Sequence, residues 1–176
     1  MTPPVSFPEP ASTPDLRGLL VDYLDYFRGV VAGKLEGLSD PALAGSVVPS
    51  GWTPSGLVHH LVNVERRWLV WGFLATPVDD PWRDAAEDGG WLTLDVPAAE
   101  LRELLDEAGI RTRTIVEAHE LTDRAGVGGR FTDQASAPQL QWILLHLLQE
   151  YARHTGHLDI ARELVDGRVG ETGEPV

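Results

Sequence analysis

The sequence predicts an all-α protein, an antiparallel four-helix bundle, and three observations support this. Four stretches have apolar residues that recur every three or four positions, as on amphipathic helices. Segments rich in Pro, Gly and acidic residues separate these stretches, and no convincing pair of strands is visible. Hydrophobic residues are 43% of the 176 residues, which suffices for the core of one folded domain.

The first two helices have the same starting signal. We expect residues 1–13, which are rich in proline, to form an extended tail. The first helix is expected to start at Thr13-Pro14-Asp15, a capping residue followed by proline in the first turn, and to run to about Leu38. Thr53-Pro54 repeats this arrangement and predicts a second helix that ends near Ala75.

The third and fourth helices follow after long connections. Val96-Pro97 opens the third, which ends near Leu121. The fourth, the longest and most apolar, is expected from about Gln139 to Val165, with Gly167 as the usual residue just past a helix end.

The connections and the termini set the predicted domain limits. Residues 76–91 and 123–138 are predicted to be loops, and the stretch WLTLDV near residue 91 is expected to be extended without a partner strand. We therefore expect one bundle domain over residues 14–168 and a C-terminal tail over 169–176.

Composition and charge exclude several classes of function. With 14 basic and 27 acidic residues the net charge is −13, so nucleic acids and membranes are not expected partners. No cysteine is present, which excludes disulfides, iron–sulfur clusters and a catalytic thiol from the chain itself. The only lysine, Lys34, is expected at an exposed helix end. No signal peptide or membrane span is recognisable, and the expected location is the cytoplasm.

The fourth helix contains a cluster of candidate metal ligands. His146, Glu150 and His154 are spaced four apart, and His157 follows three residues later. At about 100° per residue, His154 lies within roughly 20° of the centre of the apolar stripe and Glu150 roughly 60° to one side. One imidazole and one carboxylate therefore point into or beside the core, one turn apart.

A third candidate ligand, His60, lies on the apolar stripe of the second helix. If the two helices face each other, His60, Glu150 and His154 converge into a set suited to zinc, nickel or another divalent ion, with one position open. The alternative is a set of core groups that satisfy one another by hydrogen bonding. His157 and His146 are predicted at the rim, although His157 could replace Glu150 as a ligand. His59 and His119 are expected to be solvated.

Other patterns receive structural interpretations. The segment GVGGR at 126–130 lacks the Lys-Ser/Thr of a phosphate-binding loop and is predicted to be a flexible connection. Five acidic residues that do not have the spacing of a calcium-binding loop are expected to form a solvated face: Asp79, Asp80, Asp84, Glu87 and Asp88. Three tryptophans are expected in the core: Trp68, Trp71 and Trp142. Trp82 and Trp91 are expected in the long loop, where they could cover a pocket, form a subunit contact or anchor the loop.

Two strings resemble a known family. GWTPSGLVHHLVNVE and LLHLLQEYARHTGHLDIARELVDG resemble the second- and fourth-helix signatures of the DinB/YfiT-like metal-dependent superfamily, over about residues 15–168. The second string is closest to an actinobacterial branch of unknown function, related to mycothiol-dependent enzymes. The resemblance implies a four-helix bundle, often dimeric, with a divalent metal between helices two and four and His60 as its first ligand. Glu150 stands where many members have His, as a Glu does in mycothiol-dependent maleylpyruvate isomerase.

The resemblance also implies an activity. We expect a metal-dependent transferase or isomerase that uses an external thiol such as mycothiol to attack an electrophilic small molecule, and a homodimer. Two alternatives stay open. One is a DinB-like protein that binds metal or a small ligand without catalysis, and the other is a metal-dependent hydrolase that uses water.

Overall fold

The protein is predominantly helical in a computed structural model that describes residues 15–169 and 174–175. Its helices are α1 (Leu16–Leu35), α2 (Asp40–Ala44), α3 (Pro54–Glu65), α4 (Ala98–Ala118) and α5 (Leu140–Asp166), and α3 continues directly as a π-helical segment, Arg66–Phe73. At the C-terminus β1 (Arg168–Val169) pairs antiparallel with β2 (Glu174–Pro175). The four long helices confirm the predicted all-α bundle.

The four long helices share one core. α1 packs against α5 and α4, and α3 packs against α4 and α5. Each long helix contributes leucines that are fully or almost fully buried, among them Leu24, Leu61, Leu105 and Leu147. Each such side chain stabilises the fold by about 1.5–3 kcal/mol through burial. Because α3 and α5 are neighbours in this core, residues on their facing stripes can meet.

The beginning of α1 differs from the expectation. Asp15 is the capping residue, and its carboxylate accepts hydrogen bonds from the backbone N–H groups of Arg17 and Gly18 at 3.1 and 3.2 Å. A carboxylate in this position satisfies donors that the helix itself leaves unpaired. The helix therefore begins at Leu16, later than predicted. Thr13-Pro14 and the expected N-terminal tail lie outside the described residues.

The segment after α1 contains a short helix that was not predicted. α1 ends at Leu35, and Gly37 follows with φ +77°, a conformation that favours glycine. α2 then begins at Asp40 with Pro41 in its first turn, where the missing N–H of proline has no cost.

The second predicted helix has the expected extent, but its last two turns are π-helical. Thr53 caps α3 as predicted, because its Oγ1 accepts from the N–H of Gly56 at 3.1 Å. The change to π-helical geometry at Arg66 was not predicted, since hydrophobic spacing does not distinguish it. π-Helical turns are frequent at functional sites.

Two side chains occupy environments opposite to those expected. Lys34 is buried, with 4% of its surface exposed, and its Nζ lies 2.7 Å from Asp159 Oδ1 on α5. The last turn of α1 packs on α5, which buries the lysine stem. Trp142, expected in the core, is 50% exposed because it lies on the outer side of the first turn of α5.

Within residues 15–169, no helix has the combined length and apolar character of a membrane-spanning segment.

Candidate metal centre

α3 and α5 bring His60, Glu150 and His154 together. One possible ligand atom from each residue lies within 4.8 Å of those of the other two. His154 Nε2 is 3.2 Å from Glu150 Oε2, and His60 Nε2 is 3.9 Å from the same oxygen. Glu150 and His154 are one turn apart on α5, so their side chains extend in the same direction. The convergence anticipated from helical spacing is therefore present in the structure.

Asp84, in the loop before α4, orients His60. Its Oδ2 accepts from His60 Nδ1 at 3.0 Å, and its Oδ1 accepts from Arg67. Burial would raise the pKa of Asp84, but the hydrogen bonds from His60 and Arg67 outweigh it and hold this pKa at about 2. The ionised carboxylate thus fixes a proton on Nδ1 and directs Nε2 of His60 towards Glu150. The expectation that Asp84 is solvated is wrong: it is 3% exposed.

The charges at the centre favour a cation. Hydrogen bonds from His154 and His60 lower the pKa of Glu150 well below its usual range, so its carboxylate is ionised. Burial opposes protonation of His60, but the hydrogen bonds with Asp84 and Glu150 prevail and raise its pKa. Two imidazole nitrogens and one carboxylate oxygen form the donor set that catalytic zinc sites use. The residues present therefore fit a divalent ion.

The two histidines predicted at the rim, His146 and His157, contact the candidate ligands on α5 but are not part of the three-residue group. His157 Nδ1 lies 3.0 Å from His154 Nδ1, so one ring donates and the other accepts, which fixes the orientation of His154. His146 Nε2 lies 3.4 Å from Glu150 Oε1. Burial lowers the pKa of both His146 and His157. Among the described residues, the group contains no fourth histidine or carboxylate, which leaves room for another ligand.

Trp91 lies directly against the centre. Its ring stacks on His60 with 4.6 Å between centroids, and it meets the edge of His154 at 4.9 Å. Of the roles considered for this loop tryptophan, a cover over a site agrees best with these contacts. The cover reduces the access of water from one side of His60.

His59 and His119 occupy different environments. His59 is 8% exposed, its Nδ1 lies 3.2 Å from the Leu92 carbonyl oxygen, and burial lowers its pKa. The expectation of a solvated His59 is therefore wrong, because the loop after Trp91 folds over this side of α3. His119 is about one-third exposed at the end of α4, where it packs on Phe73.

A buried polar cluster beside the centre was not predicted. Glu65, at the end of α3, accepts from Arg28 at 2.9 and 2.7 Å and from Tyr151 and Thr112 at 2.5 Å each. Burial disfavours the charged form of Arg28, but its contacts with Glu65 outweigh this effect and raise the pKa of Arg28. Burial raises the pKa of the Tyr151 hydroxyl. Because Tyr151 follows Glu150 in α5, the cluster holds α5 against α3 at the level of the metal centre.

Comparisons with known proteins concern the family and the fold. A family described as mycothiol-S-transferase matches residues 19–167. Among solved structures, a DinB-like protein from Bacillus cereus superposes with a TM-score of 0.54 at 16% sequence identity, covering 84% of this chain and 91% of that one. This likeness shows a shared fold. No curated protein matches the sequence.

Proposed function

Because the chain belongs to the mycothiol-S-transferase family, within the DinB/YfiT-like superfamily, we propose that it is a divalent-metal-dependent transferase. It would join a low-molecular-weight thiol, mycothiol or a relative, to an electrophilic small molecule. The observation that carries this proposal is the three-donor centre formed by His60, Glu150 and His154. Three protein ligands with a position left for a further group are typical of catalytic metal sites, whereas structural sites are closed by a fourth.

The proposed ligands favour certain metals and a certain chemistry. Nitrogen and oxygen donors suit zinc or nickel. A divalent ion held there would lower the pKa of an incoming thiol and keep it as thiolate, the nucleophilic form. The chain has no cysteine, so the sulfur must come from the cosubstrate.

The surrounding residues would prepare the centre for this reaction. Asp84 and His157 fix the orientation of His60 and His154, and Trp91 shields one side of the pair. In a substitution, a carbon–sulfur bond forms, the bond to the leaving group breaks with its electron pair, and the thiol proton passes to solvent. Shielding from water favours the thiolate over hydroxide as the nucleophile.

The test combines metal analysis with a thiol-transfer assay. Protein purified without chelators or a His-tag should contain one equivalent of divalent metal and consume an electrophilic test substrate only with added mycothiol. His154→Ala should lose both metal and turnover, while His119→Ala, a histidine at the far end of α4, should lose neither. Turnover without thiol would favour a hydrolase. Full metal content in a variant with alanine at all three positions would refute the ligand assignment.

A further inference from the structure

Arg130 lies among tryptophans on the side of the bundle where the π-helical segment ends. Its guanidinium carbon is 4.2 Å from the ring centre of Trp68, 5.7 Å from that of Trp82 and 5.9 Å from that of Trp71. These four residues are called the Arg130 cluster below. Cation–π contacts of this kind orient a guanidinium without neutralising its charge.

The charge of Arg130 has no acidic partner among residues 15–169. No ion pair joins it to a described carboxylate, and burial, followed by repulsion from Arg67, lowers its pKa. The more deeply buried Arg28 and Arg67 each contact a carboxylate. A half-buried cation without an anion is unfavourable. The chain has 27 acidic and only 14 basic residues, yet no described carboxylate pairs with Arg130. This arrangement is therefore suited to an anion from outside the chain.

The glycine-rich segment before Arg130 is fixed in place. The N–H of Arg130 donates to the Trp71 carbonyl at 3.0 Å, and that of Gly126 donates to the Phe73 carbonyl at 2.8 Å. A Cβ on Gly129 would lie 2.0 Å from the Trp71 oxygen, so only glycine permits this approach. The loop thus pairs with carbonyls that the end of the helix leaves free. It is an anchored support for Arg130, and the expectation of a flexible connection is wrong.

The Arg130 cluster adjoins the metal centre. The Trp68 ring is 4.5 Å from that of His146, and His146 Nε2 is 3.4 Å from Glu150 Oε1. Trp142 also stacks on His146, nearly parallel with 5.5 Å between centroids, and its ring lies 5.3 Å from that of Trp68. The Trp68 indole and the His146 imidazole therefore lie between the Arg130 guanidinium and Glu150. Glu150 is a proposed metal ligand. Trp82, a member of the cluster, is 53% exposed, so the cluster is open to solvent at this residue.

We propose that the Arg130 cluster is the binding subsite for the electrophile and selects planar aromatic molecules that carry a carboxylate. A guanidinium binds a carboxylate through two parallel hydrogen bonds, and indole rings stack on planar groups. This inference names the substrate class of the proposed transferase and rests on that function. With 4-chloro-3-nitrobenzoate, sulfur would bond to the ring carbon that bears chlorine. Chloride leaves with its electron pair, and the thiol proton passes to solvent.

The test measures binding, separately from catalysis. Isothermal titration compares 3-nitrobenzoate with its neutral analogue 3-nitrobenzamide on the metal-containing protein. We expect the anion to bind at least about tenfold more tightly. Arg130→Met should abolish this preference, while Arg102→Met, which removes an exposed arginine paired with Glu36, should keep it. If Arg130→Met does not fold, Arg130→Gln, which retains a polar side chain, gives the same comparison.

The possible outcomes distinguish the subsite from the reaction. Equal binding of both compounds, or a preference for the anion that survives the loss of Arg130, would overturn the subsite. A transfer assay with mycothiol then compares 4-chloro-3-nitrobenzoate with 4-chloro-3-nitrobenzamide. If neither is converted while Arg130-dependent binding persists, the subsite stands and the proposed transferase function fails. If both are converted at equal kcat/KM, with no effect of Arg130→Met, the transferase stands and the subsite is refuted.

Discussion

Replacing Asp84 by Asn should weaken metal binding although Asp84 is not a proposed ligand. The pKa of its carboxyl is lowered from 3.8 to about 2, so its donors favour the ionised form, after the opposing effect of burial, by a net amount of about 2 kcal/mol at 1.36 kcal/mol per unit. His60 and Arg67 share this interaction, so only part of it acts on His60. An amide also fixes the Nδ1 proton less firmly. We expect a loss of affinity of about tenfold, at the lower end of the range for groups that support metal ligands.

The assay is a competition titration of the metal-free protein with zinc and a chromophoric chelator. Glu87→Gln is the matched control, because it removes the same charge from an exposed position in the same loop. Its affinity should equal that of the unmodified protein. If Asp84→Asn binds zinc as tightly as this control, the contact with His60 does not support the centre and the reasoning fails. Circular dichroism of both variants shows whether the fold is retained.

Two further predictions concern stability. Arg28→Met leaves the Glu65 carboxylate buried without its cation, so urea unfolding should show a free energy of unfolding lower by about 3–5 kcal/mol. Arg102→Met, which breaks an exposed ion pair, should lower it by less than about 1 kcal/mol. Similar losses in the two variants would mean that the buried pair adds nothing. In metal-free protein, the stabilisation from the lowered pKa of Asp84 is complete above about pH 4 and is lost as the pH falls towards 2. The unfolding free energy of Asp84→Asn should therefore fall less over this range, and parallel curves would contradict this.

The helices, and the helix faces on which His60, Glu150 and His154 lie, follow from local sequence. Spacing of four along α5 places Glu150 and His154 on one side of the helix, and apolar periodicity places His60 on the stripe of α3 that faces the core. These features depend on residues close together in the chain. The structure places the three side chains together, and that they bind a metal stays a prediction.

The features that sequence reasoning missed depend on loops and distant contacts. Asp84 belongs to an acidic loop without periodicity, and only the fold brings it to His60. Lys34 meets Asp159 across the bundle, far away in sequence. His59 is covered by a loop whose path no local pattern specifies. The one available signal was Asp84 itself, an acid between tryptophans in a segment otherwise typical of an exposed loop.

The anchored position of Arg130 also depends on a contact that local sequence does not specify. The sequence GVGGR is compatible with a flexible linker, and glycine alone does not show which close contact requires it. The structure supplies the reason in the carbonyl groups at the end of the π-helical segment. The position of Arg130 thus depends on one unusual helix end.

The most direct test of the proposed function is the absorption spectrum of the cobalt-substituted protein before and after addition of mycothiol. If His60, Glu150 and His154 hold a divalent ion with a position open to sulfur, mycothiol should produce a sulfur-to-cobalt charge-transfer band at one equivalent. His154→Ala should show no such band. A spectrum that mycothiol leaves unchanged, in protein that contains one equivalent of cobalt, would contradict thiol activation at this centre.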